Sequence, residues 1–102
     1  MQKNFINGQC VPATSGKTLP VHDPSTGEVF DHLARSTAED VNHAVAAARA
    51  ALGGAWGAMT ATERGRILVH LSDLILARSE DLAQLEARDP GKPISGARND
   101  IQ

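Results

Sequence analysis

The sequence contains few aromatic residues and a single cysteine. One Trp, two Phe and no Tyr occur among its 102 residues, so aromatic residues make up only 3% of the chain. We therefore expect a core made of Leu, Ile, Val and Ala. The single Cys excludes an intrachain disulfide and is typical of a protein in a reducing, cytoplasmic setting. The length leaves room for one domain at most.

Long apolar runs and an excess of charge of one sign are also absent. The net charge is −2, and acidic and basic residues are interspersed along the chain. This distribution excludes a basic surface for nucleic acid and a polybasic membrane anchor. No apolar run approaches the roughly 18 residues of a membrane-spanning helix, and residues 1–8 lack the apolar stretch of a signal peptide. We therefore expect neither a nucleic-acid partner nor a membrane partner.

Turn-forming residues divide the first third of the chain into short strands. Asn7-Gly8 is a strong signal for a two-residue β-hairpin turn. A second cluster of turn residues occupies 23–27, and Pro20 indicates that the strand containing it lies at a sheet edge. The expected strands cover 4–6, 10–11, 17–22 and 28–34.

Helical patterns begin after residue 35. Residues 36–39 (Ser-Thr-Ala-Glu) and 60–63 (Thr-Ala-Thr-Glu) both fit the capping box that starts a helix. Gly53-Gly54 is expected to end the first of these helices, and Trp56 follows in a short connection. Ser79 is the expected N-cap of a third helix. The second helix carries an apolar stripe at helical spacing, formed by Ile67, Leu68, Leu71, Leu74 and Ile75.

A proline-glycine turn follows the third helix. Pro90 sets a φ that suits the second position of a β-turn, and Gly91 tolerates the positive φ of the third position. Pro90 also disfavours helical geometry at Asp89, which predicts that the helix stops there. Ser95 is the expected N-cap of a last helix that reaches Ile101 without a stop signal. The missing stop favours a cut chain, and a frayed terminus is the alternative.

Residues 85–93, Leu-Glu-Ala-Arg-Asp-Pro-Gly-Lys-Pro, resemble the Leu-Glu-x-x-Asp-x-Gly-Lys-Pro segment of aldehyde dehydrogenases. Phe-Ile-Asn-Gly at 5–8 and Asp-Pro-Ser-Thr-Gly-Glu-Val at 23–29 are similar to the opening strand and to a turn of the same family. Shorter matches occur in the same order at 15–18, 38–41, 44–45, 47–48, 56, 63–64 and 100–101.

The resemblance and the pattern of elements together imply an α+β fragment. Short antiparallel strands (1–35) precede three to four helices (36–102). The piece belongs to the α/β dinucleotide-binding domain of an aldehyde dehydrogenase-like fold, without the downstream cofactor-binding sheet and catalytic domain. Cys10, His22-Asp23 and Pro90 depart from the residues usual in the family. These departures leave the subfamily, and with it the aldehyde, open.

The resemblance implies oxidation of an aldehyde to a carboxylic acid with NAD or NADP. In the family a cysteine thiolate forms a thiohemiacetal, hydride passes to the nicotinamide, and a glutamate-activated water hydrolyses the thioester. These residues, and those that bind the cofactor, lie downstream in the family. The resemblance therefore assigns no catalytic and no cofactor-binding residue to this chain. The intact enzyme is expected to bind a small-molecule aldehyde and to form a homodimer or homotetramer.

The resemblance also implies one binding site within the chain. Many family members hold a structural monovalent cation with two consecutive backbone carbonyls and the carboxylate of the Asp-x-Gly-Lys-Pro segment. By motif position these ligands are Val21, His22 and Asp89. Oxygen ligands suit a hard cation, and a fourth ligand would come from outside these residues. The alternative is that Asp89 accepts backbone N–H bonds in its own turn.

No other pattern in the sequence indicates chemistry. Cys10 lies in an expected strand with no cationic neighbour in sequence, which favours a packed apolar role over a reactive thiol. Residues 53–57 are no dinucleotide fingerprint, because the G-x-G-x-x-G spacing is missing and a helix precedes them. His43 and His70 are expected on solvated helix faces. The spacing of the four histidines does not match that of metal ligands; they are His22, His32, His43 and His70.

The sequence supports three hypotheses of function. The first is a structural fragment of an aldehyde dehydrogenase, inactive alone. The second is a stand-alone interaction or binding module that retains the dehydrogenase scaffold. The third is a unit completed in trans by another polypeptide that carries the catalytic Cys and Glu. A fragment should expose apolar faces and aggregate, whereas a module should be monodisperse and fold cooperatively.

Overall fold

The computed structural model describes residues 1–102, which form two compact units. The first unit contains Met1–Val21 and Phe30–Met59, and the second contains His22–Val29 and Thr60–Gln102. Short strands precede the helices, which confirms the α+β architecture. None of the helices combines the length and the apolar character needed to cross a membrane. The elements are β1 (Asn4–Ile6), β2 (Gln9–Val11), β3 (Thr18–His22), β4 (Val29–Ala34), α1 (Ala38–Gly53), α2 (Ala55–Ala58), α3 (Ala61–Ala77), α4 (Ser79–Arg88) and α5 (Ile94–Ile101).

The predicted β1–β2 hairpin is confirmed. Its strands are antiparallel, with Ile6 opposite Gln9 at the turn. Asn7 and Gly8 have φ values of 52° and 77°. Positive φ at both central positions is the signature of a type I′ turn, whose twist matches that of the paired strands.

Cys10 is exposed, so the expected packed role is wrong. Cys10 lies directly opposite Phe5, whose exposed fraction is 73%. Because side chains alternate along a strand, these two residues share one face of the hairpin. Ile6 and Val11 lie on the other face and are half-buried. The hairpin therefore covers one face only, and Cys10 lies on the face left open.

Strands β3 and β4 form a second two-stranded sheet. The expected edge position of Pro20 is confirmed, because each strand of a two-stranded sheet is an edge. Gln2 forms a parallel bridge with Leu33 of β4. Its N–H donates to the His32 carbonyl at 2.7 Å, and its carbonyl accepts from the Ala34 N–H at 2.9 Å.

Helix α1 begins with a capping box, but one residue later than predicted. The N-cap is Thr37 with Asp40 as its partner, in place of Ser36 with Glu39. The Asp40 carboxylate accepts from the Thr37 N–H at 2.7 Å and from the Thr14 N–H at 3.0 Å. This second donor, which is distant in sequence, favours Asp40 over Glu39 as the acidic partner of the capping box. Ser36 instead donates its hydroxyl to a side chain of β1.

Gly53 and Gly54 end α1 as predicted. The prediction of a connection without helix around Trp56 is wrong, because Ala55–Ala58 forms a one-turn helix. This helix raises the number of helices to five. Gly57 lies so close to α1 that an added Cβ would overlap the Leu52 carbonyl. The absence of a side chain at Gly57 is what lets the chain fold back at this point.

The capping box at Thr60 and Glu63 is confirmed as the start of α3. Ser79 is not an N-cap, however, but the first residue of α4. Arg78 serves at once as the C-cap of α3 and the N-cap of α4. A single connecting residue leaves Ser79 already inside the helix, which is why its hydroxyl does not cap.

The segment between α4 and α5 shows two further differences from prediction. Asp89 has helical φ and ψ values of −66° and −56°, and its N–H donates to the Leu85 carbonyl at 2.9 Å. This hydrogen bond outweighs the bias that Pro90 exerts on the preceding residue. The N-cap of α5 is Pro93 and not Ser95. The Pro93 carbonyl already accepts the first helical hydrogen bond, so the helix begins before Ser95 is reached.

Helices α4 and α5 contact one another, and each contains one buried alanine. Ala83 and Ala97 are both fully buried, with exposed fractions of 0%. Alanine at such a contact lets two helix backbones approach closely. The core of the second unit therefore includes a point of close contact and no large, fully buried side chain.

Candidate functional site

The turn between β3 and β4 is held by its own backbone and by Asp23. The Asp23 N–H donates to the Glu28 carbonyl at 2.8 Å, and the Asp23 carbonyl accepts from the Gly27 N–H at 2.7 Å. The Asp23 carboxylate accepts from the Ser25 N–H at 2.8 Å. Gly27 has a φ of 76°, which a glycine adopts without strain. The turn is thus determined by residues within six positions of one another.

The same Asp23 carboxylate binds the end of α4. Arg88 donates its Nε–H to Asp23 at 3.2 Å. The side chain of Asp23 is only 13% exposed, while that of Arg88 is 55% exposed. The Ser25 N–H and then the Arg88 guanidinium lower the pKa of Asp23, against the opposing effect of burial. Asp23 therefore stays ionised and joins the turn to the C-terminal end of α4.

Gly91 brings the segment after α4 against the same turn. Its φ is 76°, as predicted for this position. A Cβ on Gly91 would lie 2.7 Å from Cγ of Pro24, far closer than ordinary contact. Position 91 therefore requires glycine for two reasons: its backbone has a positive φ, and Pro24 leaves no space for a Cβ.

Two residues of the predicted cation site lie at the end of β3, and the third lies at the end of α4. Val21 is half-buried near the end of β3, and His22, the last residue of that strand, is exposed. Asp89 is exposed at the C-cap of α4. Its carboxylate accepts no hydrogen bond from its own turn, which removes the alternative role proposed for it. The assignment of Val21, His22 and Asp89 to a cation stays a prediction.

No group of three or more His, Cys, Asp or Glu side chains is arranged to hold a metal ion. The predicted ligand set contains two backbone carbonyls and one carboxylate, so this observation does not test it. All four histidines are exposed, as expected for His43 and His70. His43 lies 4.0 Å from Glu39 one helical turn away. The histidines are thus dispersed on the surface.

Charged side chains link α4 to α5. Arg98 donates two hydrogen bonds of 2.9 Å to the Glu80 carboxylate. Arg98, followed by Gln84, lowers the pKa of Glu80 to about 2. Lys92 pairs with Asp100 and with Glu86, and these two carboxylates raise the pKa of Lys92. Helix α4 thus contributes two acidic partners, α5 contributes one basic and one acidic partner, and Lys92 lies in the segment between the helices.

An open cleft of about 580 Å³ lies between the β1–β2 hairpin and α1. Ala47 and Ala50 form an apolar wall, and Asp40 and His43 are its charged or titratable residues. Asp40 is 3% exposed and already accepts hydrogen bonds from Thr37 and Thr14, which lower its pKa. The cleft therefore lacks a buried polar group that is free to receive a ligand.

The contacts of Asp23 and Asp40 were missed by reasoning from the sequence. Arg88 is 65 positions from Asp23, and Thr14 is 26 positions from Asp40. The Asp-Pro-Ser sequence at 23–25 does signal a local side-chain turn. No local signal identifies the distant partners.

Comparison with known proteins places these features in a family. The model of the aldehyde dehydrogenase family matches residues 10–102. The chain is 53% identical over 90 residues to a protein of Arabidopsis thaliana named aldehyde dehydrogenase family 2 member B4, mitochondrial. That match covers 87% of the chain and 17% of the relative.

Solved structures show the same fold at high similarity. A putative aldehyde dehydrogenase from Burkholderia cenocepacia superposes with a TM-score of 0.95 at 49% identity, over 97% of this chain and 21% of that one. The NAD+ complex of an aldehyde dehydrogenase from Bacillus cereus superposes with a TM-score of 0.94 at 44% identity, over 97% and 20%. The chain thus spans about a fifth of these structures.

Proposed function

We propose, on the premise that this chain belongs to the aldehyde dehydrogenase family, that it forms a structural N-terminal part of an enzyme oxidising aldehydes with NAD(P). The matching relatives are aldehyde dehydrogenases several times longer than these 102 residues. The Bacillus cereus structure contains NAD+. These similarities support the reaction class and the cofactor for the whole protein. The aldehyde and the choice between NAD and NADP stay open.

The exposure of α3 is the observation that carries the structural role. No residue of α3 is buried, and Leu68, Leu71 and Leu74 are 58%, 49% and 52% exposed. Fully burying one such side chain contributes roughly 1.5–3 kcal/mol. An apolar stripe of this size is rare on the surface of a self-sufficient domain. We therefore infer that α3 packs against polypeptide outside residues 1–102.

The residues of the chain do not fit a dinucleotide. Gly53 is the last residue of a helix and Gly54 is its C-cap, whereas a dinucleotide-binding glycine loop follows a strand. Gly57 is closed off by the Leu52 carbonyl. Cys10 is an exposed residue of β2 with no ion pair to activate it. We propose that the chain supplies no cofactor ligand and no catalytic residue, and that it is inactive alone. The cysteine thiohemiacetal and the glutamate-activated water then belong to the remainder of the enzyme.

Exchange of the segment into a relative tests the structural role. Residues 1–102 would replace the matching segment of the Bacillus cereus enzyme, which is 44% identical. The chimera is expected to fold, bind NAD+ and oxidise the aldehyde of that enzyme. A chimera carrying Leu71→Asp should lose folding or activity, because a charge would enter the covered stripe. Ser72→Asp places the same charge on the next residue of α3 and should be tolerated. Loss of folding in the unsubstituted chimera would contradict the proposal.

The isolated chain provides the complementary test. The 102-residue chain should unfold over a broad temperature range by circular dichroism and self-associate in size-exclusion chromatography. It should produce no NADH from NAD+ and an aldehyde. A sharp transition from a monodisperse monomer would instead support a stand-alone module. Activity recovered on adding a second polypeptide would support completion in trans.

We also propose that residues of this chain bind a monovalent cation. The ligands would be the carbonyls of Val21 and His22 and the carboxylate of Asp89, which no other group engages through a hydrogen bond. The chimera should be more heat-stable in sodium or potassium chloride than in tetramethylammonium chloride. Asp89→Asn should remove that difference. A homodimeric or homotetrameric enzyme and a cytoplasmic location stay predictions.

A further inference from the structure

Asn7 and Gly8, at the tip of the β1–β2 hairpin, are not shielded by other residues. Asn7 is the one non-glycine residue with positive φ, and both Asn7 and Gly8 are exposed. The side chain of Asn7 makes no hydrogen bond, and the Gly8 N–H donates to no acceptor. A Cβ built on Gly8 would meet nothing within 4 Å. The backbone nitrogen of Gly8 and the side-chain amide of Asn7 are therefore both accessible.

We propose that Asn7 is a site of spontaneous deamidation and isomerisation in the folded chain. The backbone nitrogen of Gly8 attacks Cγ of Asn7, so that an N–Cγ bond forms and the Cγ–Nδ2 bond breaks. The amide proton leaves with the side-chain amine as ammonia. Water then opens the five-membered imide, at Cγ to give aspartate or at the backbone carbonyl to give isoaspartate. Water is the only co-reactant, and nothing is oxidised or reduced.

The two products have different consequences for the hairpin. Aspartate tolerates positive φ almost as well as asparagine, so the turn is retained. Isoaspartate routes the main chain through the side-chain methylene and adds one backbone atom to a two-residue turn. The turn determines a register of only three residue pairs, from Asn4 opposite Val11 to Ile6 opposite Gln9. Isoaspartate should therefore break the pairing of β1 with β2.

Three other asparagines in the chain serve as internal controls. Asn4 precedes Phe5 and is half-buried, while Asn42 in α1 and Asn99 in α5 precede His43 and Asp100. Each has a side chain on the following residue, which shields the attacking nitrogen. Among the four asparagines, only Asn7 has an unsubstituted successor, and it alone has positive φ.

Peptide mapping of the aged chimera that carries residues 1–102 tests the proposal. The chimera is incubated at mildly alkaline pH, digested with trypsin and analysed by fragmentation mass spectrometry, with a methyltransferase assay for isoaspartate. Because Gly8 has no side chain to shield its backbone nitrogen, Asn7 should convert at least about tenfold faster than Asn42 or Asn99. Equal rates at these sites would overturn the proposal. So would a rate at Asn7 that is about tenfold lower in the folded chimera than in guanidinium, since the turn would then be protective.

The variant Asn7→Gly separates the chemistry from the turn. Gly-Gly also favours a type I′ turn but cannot form the imide. Amide hydrogen exchange of β1 and β2 should increase during ageing of the original chimera and stay constant in Asn7→Gly. If both chimeras lose protection equally, isomerisation of Asn7 is not the cause and its proposed consequence is wrong. If neither loses protection although isoaspartate accumulates, the register argument is overturned.

Discussion

Helix α3 and the α4–α5 pair belong to the same unit but use their apolar residues differently. In the pair, Ala83 and Ala97 are fully buried, and charged side chains bridge the two helices. In α3 the long aliphatic side chains stay between about a third and two-thirds exposed. Small residues let two helices approach closely, while large ones need a complementary surface. The pair therefore buries small residues within these 102 residues, whereas the aliphatic side chains of α3 stay exposed.

Overpacking the α4–α5 contact should have the largest effect. Ala97→Leu inserts three carbon atoms where no space remains, which should cost roughly 3 kcal/mol in the free energy of opening the pair. Amide hydrogen exchange of α4 and α5 measures this free energy. Ala77→Leu adds the same atoms at an exposed position of α3 and should change protection little. Equal losses in both variants would abolish the distinction between the two regions.

Filling Gly91 should have the next largest effect. A non-glycine residue with a φ near 76° costs about 1–3 kcal/mol, and its Cβ would also meet Pro24. Gly91→Ala should therefore loosen the segment after α4. In contrast, Gly96→Ala meets nothing within 4 Å in α5 and should raise stability by about 0.5–1 kcal/mol. Hydrogen exchange in α4 and α5 measures both changes, and opposite signs are expected.

Acid should weaken the α4–α5 pair through Glu80, and it should also weaken the N-terminal cap of α3, where the Thr60 N–H lowers the pKa of Glu63. The pKa of Glu80 is about 2 in the folded chain, below its ordinary value of 4.5. A lowered folded-state pKa means that the contribution to stability is present above pH 4.5 and is lost as the pH falls towards 2. Nuclear magnetic resonance titration of amides in α4 and α5 should show this loss. Glu80→Gln should reduce the pH dependence but not abolish it, because the pKa of Asp23, which binds Arg88 at the end of α4, is also lowered. An unchanged titration in that variant would assign the pH dependence to other groups.

Substitution of the α3 stripe should have the smallest effect on the free energy of unfolding of the isolated chain. Leu74 is 52% exposed, so Leu74→Gln should change local stability by no more than about 0.5 kcal/mol. The same change should reduce self-association and the binding of a hydrophobic dye, because the apolar patch becomes smaller. Asp73→Asn on the neighbouring position is the control. A large loss of helicity in Leu74→Gln would show that α3 is already covered.

Local features of the sequence predicted much of the fold. The positive φ values of Asn7, Gly8 and Gly91, the stop at Gly53-Gly54 and the capping box at Thr60 all match the structure. These features depend on the stereochemistry of a few adjacent residues. The order of short motifs also identified the family, which the comparisons confirm over residues 10–102.

The tertiary structure decided what depends on distant residues. Asp40 rather than Glu39 caps α1 because Thr14 supplies a donor, and Asp23 joins a turn to Arg88 across 65 positions. Cys10 is exposed because its partner Phe5 lies on the open face of the hairpin. The sequence alone determined the turns, the helix periodicity and the family, since these depend on local geometry and motif order. Burial, the choice of cap and the distant ion pairs needed the folded chain, because each depends on which residues meet in space.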